Sequence, residues 1–309
     1  LKEDTFSFSS VDGKNIFTYR WLPDNRNDVK AVLHIIHGMG EHAGRYADFA
    51  RFLTSHGFAV YAADQRGHGR TAQNQADFGH YADRDGWALV LKDLNMLNCI
   101  IAGQYPQRPV FLFGHSAGSF LAQDILMAAP QNIKGAILSS TMASPGPLGQ
   151  AGILVANMVI SKKGPGAKSP FHKKLTFEKY NSCFKPVRTS ADWISRDEKM
   201  VDAMLADPYC YSLFSAAFYL ELVRATYRVN DIENLKKIPA DMPIFIISGT
   251  KCALGAFGRG VRKVFAAYRK AGLKNVEMKL YEGARHELVN ETNRAEVYED
   301  IKNWILKSV

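Results

Sequence analysis

The chain is predicted to fold as a doubly wound α/β domain, a mostly parallel sheet covered by helices on both faces and interrupted by a helical insertion. Three observations carry this. Short, almost continuously apolar runs recur at "AVLHIIHG", "AVYAAD", "PVFLFGHS", "GAILSS" and "MPIFIISG", which is how strands buried on both faces read. Stretches of helix-forming residues lie between these runs, as the crossovers of a parallel sheet require. The alternation then stops between Ser140 and Ala240, where about a hundred residues rich in helix formers and broken by "SPGPLG", "KKGPGAKSP" and "ADPYCYS" intervene before the next core strand.

In chain order, "TFSFSS" and "NIFTYRWL" alternate apolar and polar residues around "DGK", the pattern of a hairpin with one wet face. Helices are expected over residues 45–56, 84–103, 117–129, 258–271 and 293–307, with a last strand in "VEMKLY". Residues 1–140 and 240–309 should form the core, and residues 141–239 a mostly helical cap over the carboxyl ends of the strands, where ligands of such sheets gather. No internal repeat or low-complexity tract is visible.

Composition limits the function classes. With 47% hydrophobic and 22% charged residues over 309 positions, the chain can bury one large core, so disorder is not its default. The longest apolar run, "GILVANMVI", is about half the length of a membrane span, and "LKEDTFSFSS" lacks a signal peptide's apolar stretch. A soluble, cytoplasmic protein is expected. The formal charge of +9 fits a solubilising surface or attraction to an anionic membrane. Lys162, Lys163, Lys168, Lys173 and Lys174 cluster without the interleaved aromatics of a nucleic-acid platform, so no nucleic-acid partner is expected. Cys99, Cys183, Cys210 and Cys252 are scattered, without C-x-x-C spacing, and are expected to be free thiols.

The chemistry centres on "FLFGHSAGSF", which holds G-x-S-x-G as Gly114, His115, Ser116, Ala117 and Gly118 between a strand and a helix. Glycines permit the tight turn that lifts the serine hydroxyl to the top of a sheet, and the new helix aims its first amides at the same place. A serine hydroxyl needs a base. His286, in the loop of "VEMKLYEGARHELVNE", supplies one late in the chain. His115 is expected to point away from the pocket. Attack on a carbonyl creates an oxyanion, and "HIIHGMGEHAGRY" offers a glycine-lined turn in which the Met39 amide, with that of Ala117, would complete the hole. His34, His37 and His42 suggest zinc, but one lies inside a buried strand and no cysteine or carboxylate cluster completes a set, so no metal is expected.

These residues carry a resemblance. "HGMGEHAGRY", "YAADQRGHGRT", "GHSAGS" and "YEGARHELVNET", with weaker matches in "SRDEKMVDAMLADPYC" and "AFGRGV", resemble the monoacylglycerol lipase and lysophospholipase-like branch of the α/β-hydrolases, the serine aminopeptidase S33 type. The resemblance spans nearly the whole chain. It implies Ser116 as nucleophile, His286 as base, Met39 and Ala117 as oxyanion donors, no cofactor, and an apolar acyl-chain tunnel under a helical cap. Its implied substrate is a small acyl ester. "LGQAGILVANMVI" would then be an amphipathic cap helix that meets lipid or substrate, or one packed on the cap's own core. "YCYSLFSAAFYLELV" would line the pocket or simply pack.

One loop departs from the family. Where relatives of this type read like "SGDKDPVG", with the second Asp holding the histidine, this chain reads "SGTKCALG", and the acid position is Cys252. A thiol is a weak hydrogen-bond partner, and loss of the acid costs on the order of ten thousand-fold in turnover in serine-protease templates. Glu282, four residues before His286, is the candidate substitute. Glu287 is expected to face away, Asp241 lies at the wrong end of its strand, and Asp192 and Asp207 are candidates from the cap. Three readings stay open: slow ester hydrolysis by a Ser116 and His286 pair, a binding protein with a hydrolase pocket, or a deliberately altered loop. An acyltransferase is a further alternative. Thiol chemistry at Cys252 beside Lys251 is disfavoured without a closer positive partner.

Overall fold

The structure is a computed structural model that describes residues 1–128 and 132–309. Eight strands form one sheet in the order β1-β2-β4-β3-β5-β6-β7-β8. They are β1 (Lys2–Ser9), β2 (Asn15–Leu22), β3 (Ala31–Ile36), β4 (Phe58–Ala63), β5 (Val110–His115), β6 (Ile133–Ser139), β7 (Ile244–Gly249) and β8 (Val276–Tyr281). The N-terminal hairpin pairs β1 with β2 antiparallel, with Thr5 opposite Tyr19, and β2 meets β4 antiparallel. From β4 onward all neighbours are parallel. Each apolar run of the sequence holds one strand, and β3, β4, β5 and β7 are buried at every position.

Helices cover both faces. On one lie α1 (Ala47–Ser55) and, at the C-terminus, α11 (Arg294–Lys307). Their Phe49, Leu53, Ile301 and Trp304 pack on Phe111 and Phe113 of β5. On the other lie α2 (Gly86–Gln104), α3 (Ala117–Met127) and α10 (Arg259–Lys270), where Leu94, Leu121 and Val264 meet Val110 and Leu112. The two-residue period of the strand thus divides β5 between two cores. The expected helix ends hold to within a few residues. α2 starts at Gly86 because Asp85 before it takes a left-handed φ of 54°, and Ala129, the expected last residue of α3, lies outside the described residues.

Between β6 and β7 run α4 (Pro147–Lys163), α5 (Pro170–Lys173), a π turn (Lys174–Glu178), α6 (Lys179–Asn181), α7 (Glu198–Ala206), α8 (Ala216–Val229) and α9 (Ile232–Leu235). Their starts are written in the sequence. The side chains of Asp197, Ser215 and Asp231 accept the orphan amides that open α7, α8 and α9. α8 anchors the insertion, packing on α4 on one side and on α2 and α3 of the core on the other. α4 buries a narrow stripe of Gly149, Gly152 and Ala156 and leaves Leu148, Leu154 and Met158 exposed. Among the described residues no helix is long and apolar enough to cross a membrane.

Candidate active site

Ser116 sits on the turn between β5 and α3 with φ 52° and ψ −120°. A non-glycine residue in this region is strained by about 1–3 kcal/mol and persists only where its surroundings hold it. Here the Ser116 amide donates to Ser139 O at 2.9 Å and its carbonyl accepts from Ser119 Oγ at 2.6 Å. The turn also presses on the neighbouring strand end. A Cβ on Gly118 would lie 2.1 Å from Ile36 O, so glycine is required there by the close approach of backbone to backbone.

The oxyanion candidates flank this turn. The Met39 and Ala117 amides have no hydrogen-bond partner among the described residues, and both residues line the cleft that holds Ser116. What holds the Met39 loop was missed at the sequence stretch that contains it. Gly38 N donates to Glu41 Oε1 at 2.6 Å, and Tyr46 donates its hydroxyl to the same oxygen at 2.8 Å. Arg45 donates to Glu41 at 3.1 Å and, through two nitrogens, to both Glu287 oxygens at 2.7 Å. Burial, helped by Glu287, raises the Glu41 carboxyl above its ordinary value. For Glu287 burial pushes upward too, but Arg45 outweighs it and the carboxyl stays lowered. Glu287 therefore faces away from the imidazole, as expected. "GEHAGRY" carried the clue in a glutamate three residues after Gly38 and an arginine four after that glutamate.

His286 lies in the loop after β8, buried, with its carbonyl accepting from Ser140 Oγ at 2.6 Å. Its ring packs against those of His115 and Trp193, each at a centroid distance of 4.7 Å. Burial, reinforced by His115, holds its proton affinity well below that of a free imidazole. His286 is thus neutral at physiological pH, the state a proton acceptor needs. His115 does not turn away from the site. Its ring packs on that of His286 and lines the same cleft. Trp193 was not anticipated, because nothing local marks a tryptophan of the insertion as one that reaches this loop.

Ser116 and His286 line one cleft, although no hydrogen bond joins them. Such bonds tighten when a substrate closes the site. The cleft is walled mainly by apolar groups of the insertion, among them Met142, Leu148, Phe177, Tyr180 and Leu222. Of the aromatic stretch around α8, Phe214 and Phe218 pack in the core, while Tyr219 reaches the cleft.

The partner of His286 is sulfur. Cys252 Sγ lies 3.3 Å from Nδ1. Glu282 is exposed and makes no hydrogen bond to His286, which corrects the expectation of a substitute four residues upstream: after β8 the chain turns Glu282 outward. Asp192 accepts from the Arg188 and Thr189 amides at 2.6 and 3.0 Å, Asp207 pairs with His42 at 2.8 Å, and Asp241 is exposed ahead of β7. Cys252 is fully buried. Burial pushes its thiol up, against the Gly255 and Leu254 amides and the Ser248 hydroxyl, which favour the anion. That is the opposite of an activated nucleophilic thiol, and Lys251 is exposed.

His34, His37 and His42 do not converge. His34 Nδ1 meets Asn98 at 2.7 Å, and His37 Nε2 accepts from Gln65 N at 2.9 Å. Donor atoms of His42, Asp207 and Cys210 do lie within 4.8 Å of one another. However, His42 Nδ1 accepts from Gly44 N at 3.2 Å, which leaves the ring proton on Nε2, where it is donated to Asp207. Burial also pushes the Cys210 thiol far up. This trio is a hydrogen-bonded staple whose donors are protonated in the wrong places for a cation.

Residues 27–293 match the family model described as serine aminopeptidase, S33. The chain is 28% identical to a monoacylglycerol lipase of Mycolicibacterium smegmatis over 97% of this chain and 96% of that one. It is 30% identical to the monoglyceride lipase of Homo sapiens over 96% of this chain and 88% of that one. Among solved structures, a highly thermostable carboxyl esterase from Bacillus coagulans in complex with glycerol superposes with a TM-score of 0.91 at 28% identity, each chain covered to 100%.

Proposed function

Because the chain belongs to the serine aminopeptidase S33 family and has the α/β-hydrolase fold, we propose that it hydrolyses carboxylic esters of monoacylglycerol- or lysophospholipid-like acyl substrates. The observation that carries this is the strained Ser116 turn opening, beside His286, into a cleft walled by apolar groups. Residues 141–239 act as a cap over a core of residues 1–140 and 240–309, and their apolar wall takes the acyl chain.

In the reaction, Ser116 Oγ attacks the ester carbonyl while His286 accepts its proton through Nε2. The carbonyl oxygen becomes an oxyanion and takes the amides of Met39 and Ala117. His286 then returns the proton to the departing alcohol, and an acyl-enzyme remains on Ser116. Water, deprotonated by the same imidazole, releases the acid and restores the serine. An alcohol or amine in place of that water would make the same site an acyltransferase.

Cys252 at Nδ1 favours a second reading, a binding protein with a hydrolase pocket, because a neutral thiol gives the imidazolium little support. The initial rate of release from a medium-chain p-nitrophenyl ester, measured beside Ser116→Ala, separates the two. Slow release that disappears in the variant is expected, at on the order of ten thousand-fold below an acid-bearing triad. Equal rates for the two proteins would leave a pocket that binds without cutting.

A further inference from the structure

The surroundings of Cys252 suit an anion better than a thiol. Ser248 from β7 and the amides of Leu254 and Gly255 in its own loop favour a negative charge on the residue 252 side chain, while the Ser140 hydroxyl is committed to the His286 carbonyl. The Ser248 hydroxyl is itself fully buried and has no hydrogen-bond partner. An isolated buried hydroxyl is costly unless something accepts its proton, and a neutral sulfur accepts poorly. The pocket therefore holds donors in place for an acceptor that the protonated thiol does not supply.

We infer that Cys252 is the positioning residue of His286 and performs that role as a thiolate held by these donors. The inference rests on Ser116 and His286 acting as the pair proposed above. The neutral thiol works against the pair. When S–H donates to Nδ1, the ring proton must sit on Nε2, and the imidazole has no lone pair left for the serine proton. Ionised sulfur can only accept. It holds the proton on Nδ1, frees Nε2, and places a negative charge beside the imidazolium as it forms, which is the work of a triad carboxylate. No bond to sulfur forms or breaks. Only the thiol proton leaves, to solvent, and activity should switch on with alkali.

The titratable groups facing this pair are few. His115 packs on His286, and the buried Tyr180 phenol from α6 lies close enough to Cys252 to feel its charge. Glu287 is engaged by Arg45. Arg285 is turned to the carbonyls of Asp192 and Ser195. Burial raises the thiol and lowers the imidazole, so the rise belongs on the alkaline side of the free thiol's range and not near neutrality.

The test is the pH dependence of kcat for the p-nitrophenyl ester, with the Ser116→Ala rate subtracted at each pH. The full chain should gain about tenfold or more between about pH 7 and about pH 10, with little change in KM. Cys252→Ala and Cys252→Ser should be slow throughout and lack the rise. Cys252→Asp, offering an acceptor to the same donors, should be at least about a hundredfold faster near pH 7 and flat above it. Ser248→Ala should move the rise to higher pH, and ultraviolet thiolate absorbance, taken as the difference between the full chain and Cys252→Ala, should titrate over the same range. A rise that persists in Cys252→Ala, or a thiolate titration that does not coincide with it, overturns the inference. Hydrolysis restored in Cys252→Asp alone, with the full chain silent at every pH, overturns the thiolate role while sparing the serine hydrolase reading. Silence in Cys252→Asp as well overturns both.

Discussion

Glu41 shows how one side chain can govern a site without touching the reacting atoms. Its Oε1 takes the Gly38 amide and the Tyr46 hydroxyl, which fixes the turn from which the Met39 amide is presented. Glu41→Ala strands the Gly38 amide and leaves Arg45 with Glu287 alone. The expected outcome is a kcat lower by roughly one to two orders of magnitude, somewhat less than removal of an oxyanion donor outright, with KM changed little. Steady-state kinetics on the ester checks it, and a raised KM with kcat unchanged would assign Glu41 to substrate binding. At this scale the sequence pointed to Ser116 and His286, which the structure brings to one cleft, and gave no sign of the groups that hold that cleft in shape. A nucleophile is marked by a contiguous motif, whereas the positioning role of Glu41 depends on which amide its carboxylate meets.

Among the elements, the junction of β3, β5 and α3 is the most constrained. α3 begins so close to the end of β3 that a Cβ on Gly118 would meet Ile36 O at 2.1 Å and His37 O at 2.5 Å. Both are backbone oxygens, so no side chain can rotate to make room. Gly118→Ala should displace the start of α3 and destabilise the fold by about 3 kcal/mol or more, at the upper end of overpacking costs. Thermal unfolding reads the loss, and an unchanged Tm would show that the turn has slack. The same closeness puts the first amides of α3 beside the serine. The strands were legible because period-two and all-apolar patterns are local, and the insertion was legible as helical from its composition, although its separate helices and their caps came only with the structure. The path of the insertion across the core was not, since α8 packs on α2, α3 and α4 through contacts that no short window of sequence contains.

Across the whole molecule the histidines set the response to acid. Burial lowers His34, His68 and His115 to about 4 and takes His37 and His286 well below the free value. Unfolded, these imidazoles bind protons below about pH 6.5. Folded, the first three do so only near pH 4, so the unfolded chain holds more protons in between and stability falls as pH falls. Glu41, raised by burial, works the other way, since its folded form binds a proton more readily than its unfolded form. Asp64 and Glu221, also raised by burial, act with Glu41, but the lowered imidazoles, His172 among them, outnumber these carboxyls. Between about pH 7 and about pH 5 the unfolding free energy should drop by several kcal/mol, seen as a falling midpoint in urea. A flat midpoint over that range would mean that the buried rings exchange protons in the folded state.

By itself the sequence determined the sheet and the turn that carries Ser116. Each is written in residues close together: five apolar runs and one G-x-S-x-G. The tertiary structure decided what stands beside His286. It turned Glu282 to solvent, engaged Asp192, Asp207 and Glu287 elsewhere, and left Cys252 Sγ at Nδ1. It also packed His115 and Trp193 against the imidazole. The reason is physical. Hydrogen bonds and ring contacts act over a few ångströms in space, and the groups that meet here come from β5, the insertion and the loops after β7 and β8, whose separation along the chain carries no record of where folding puts them.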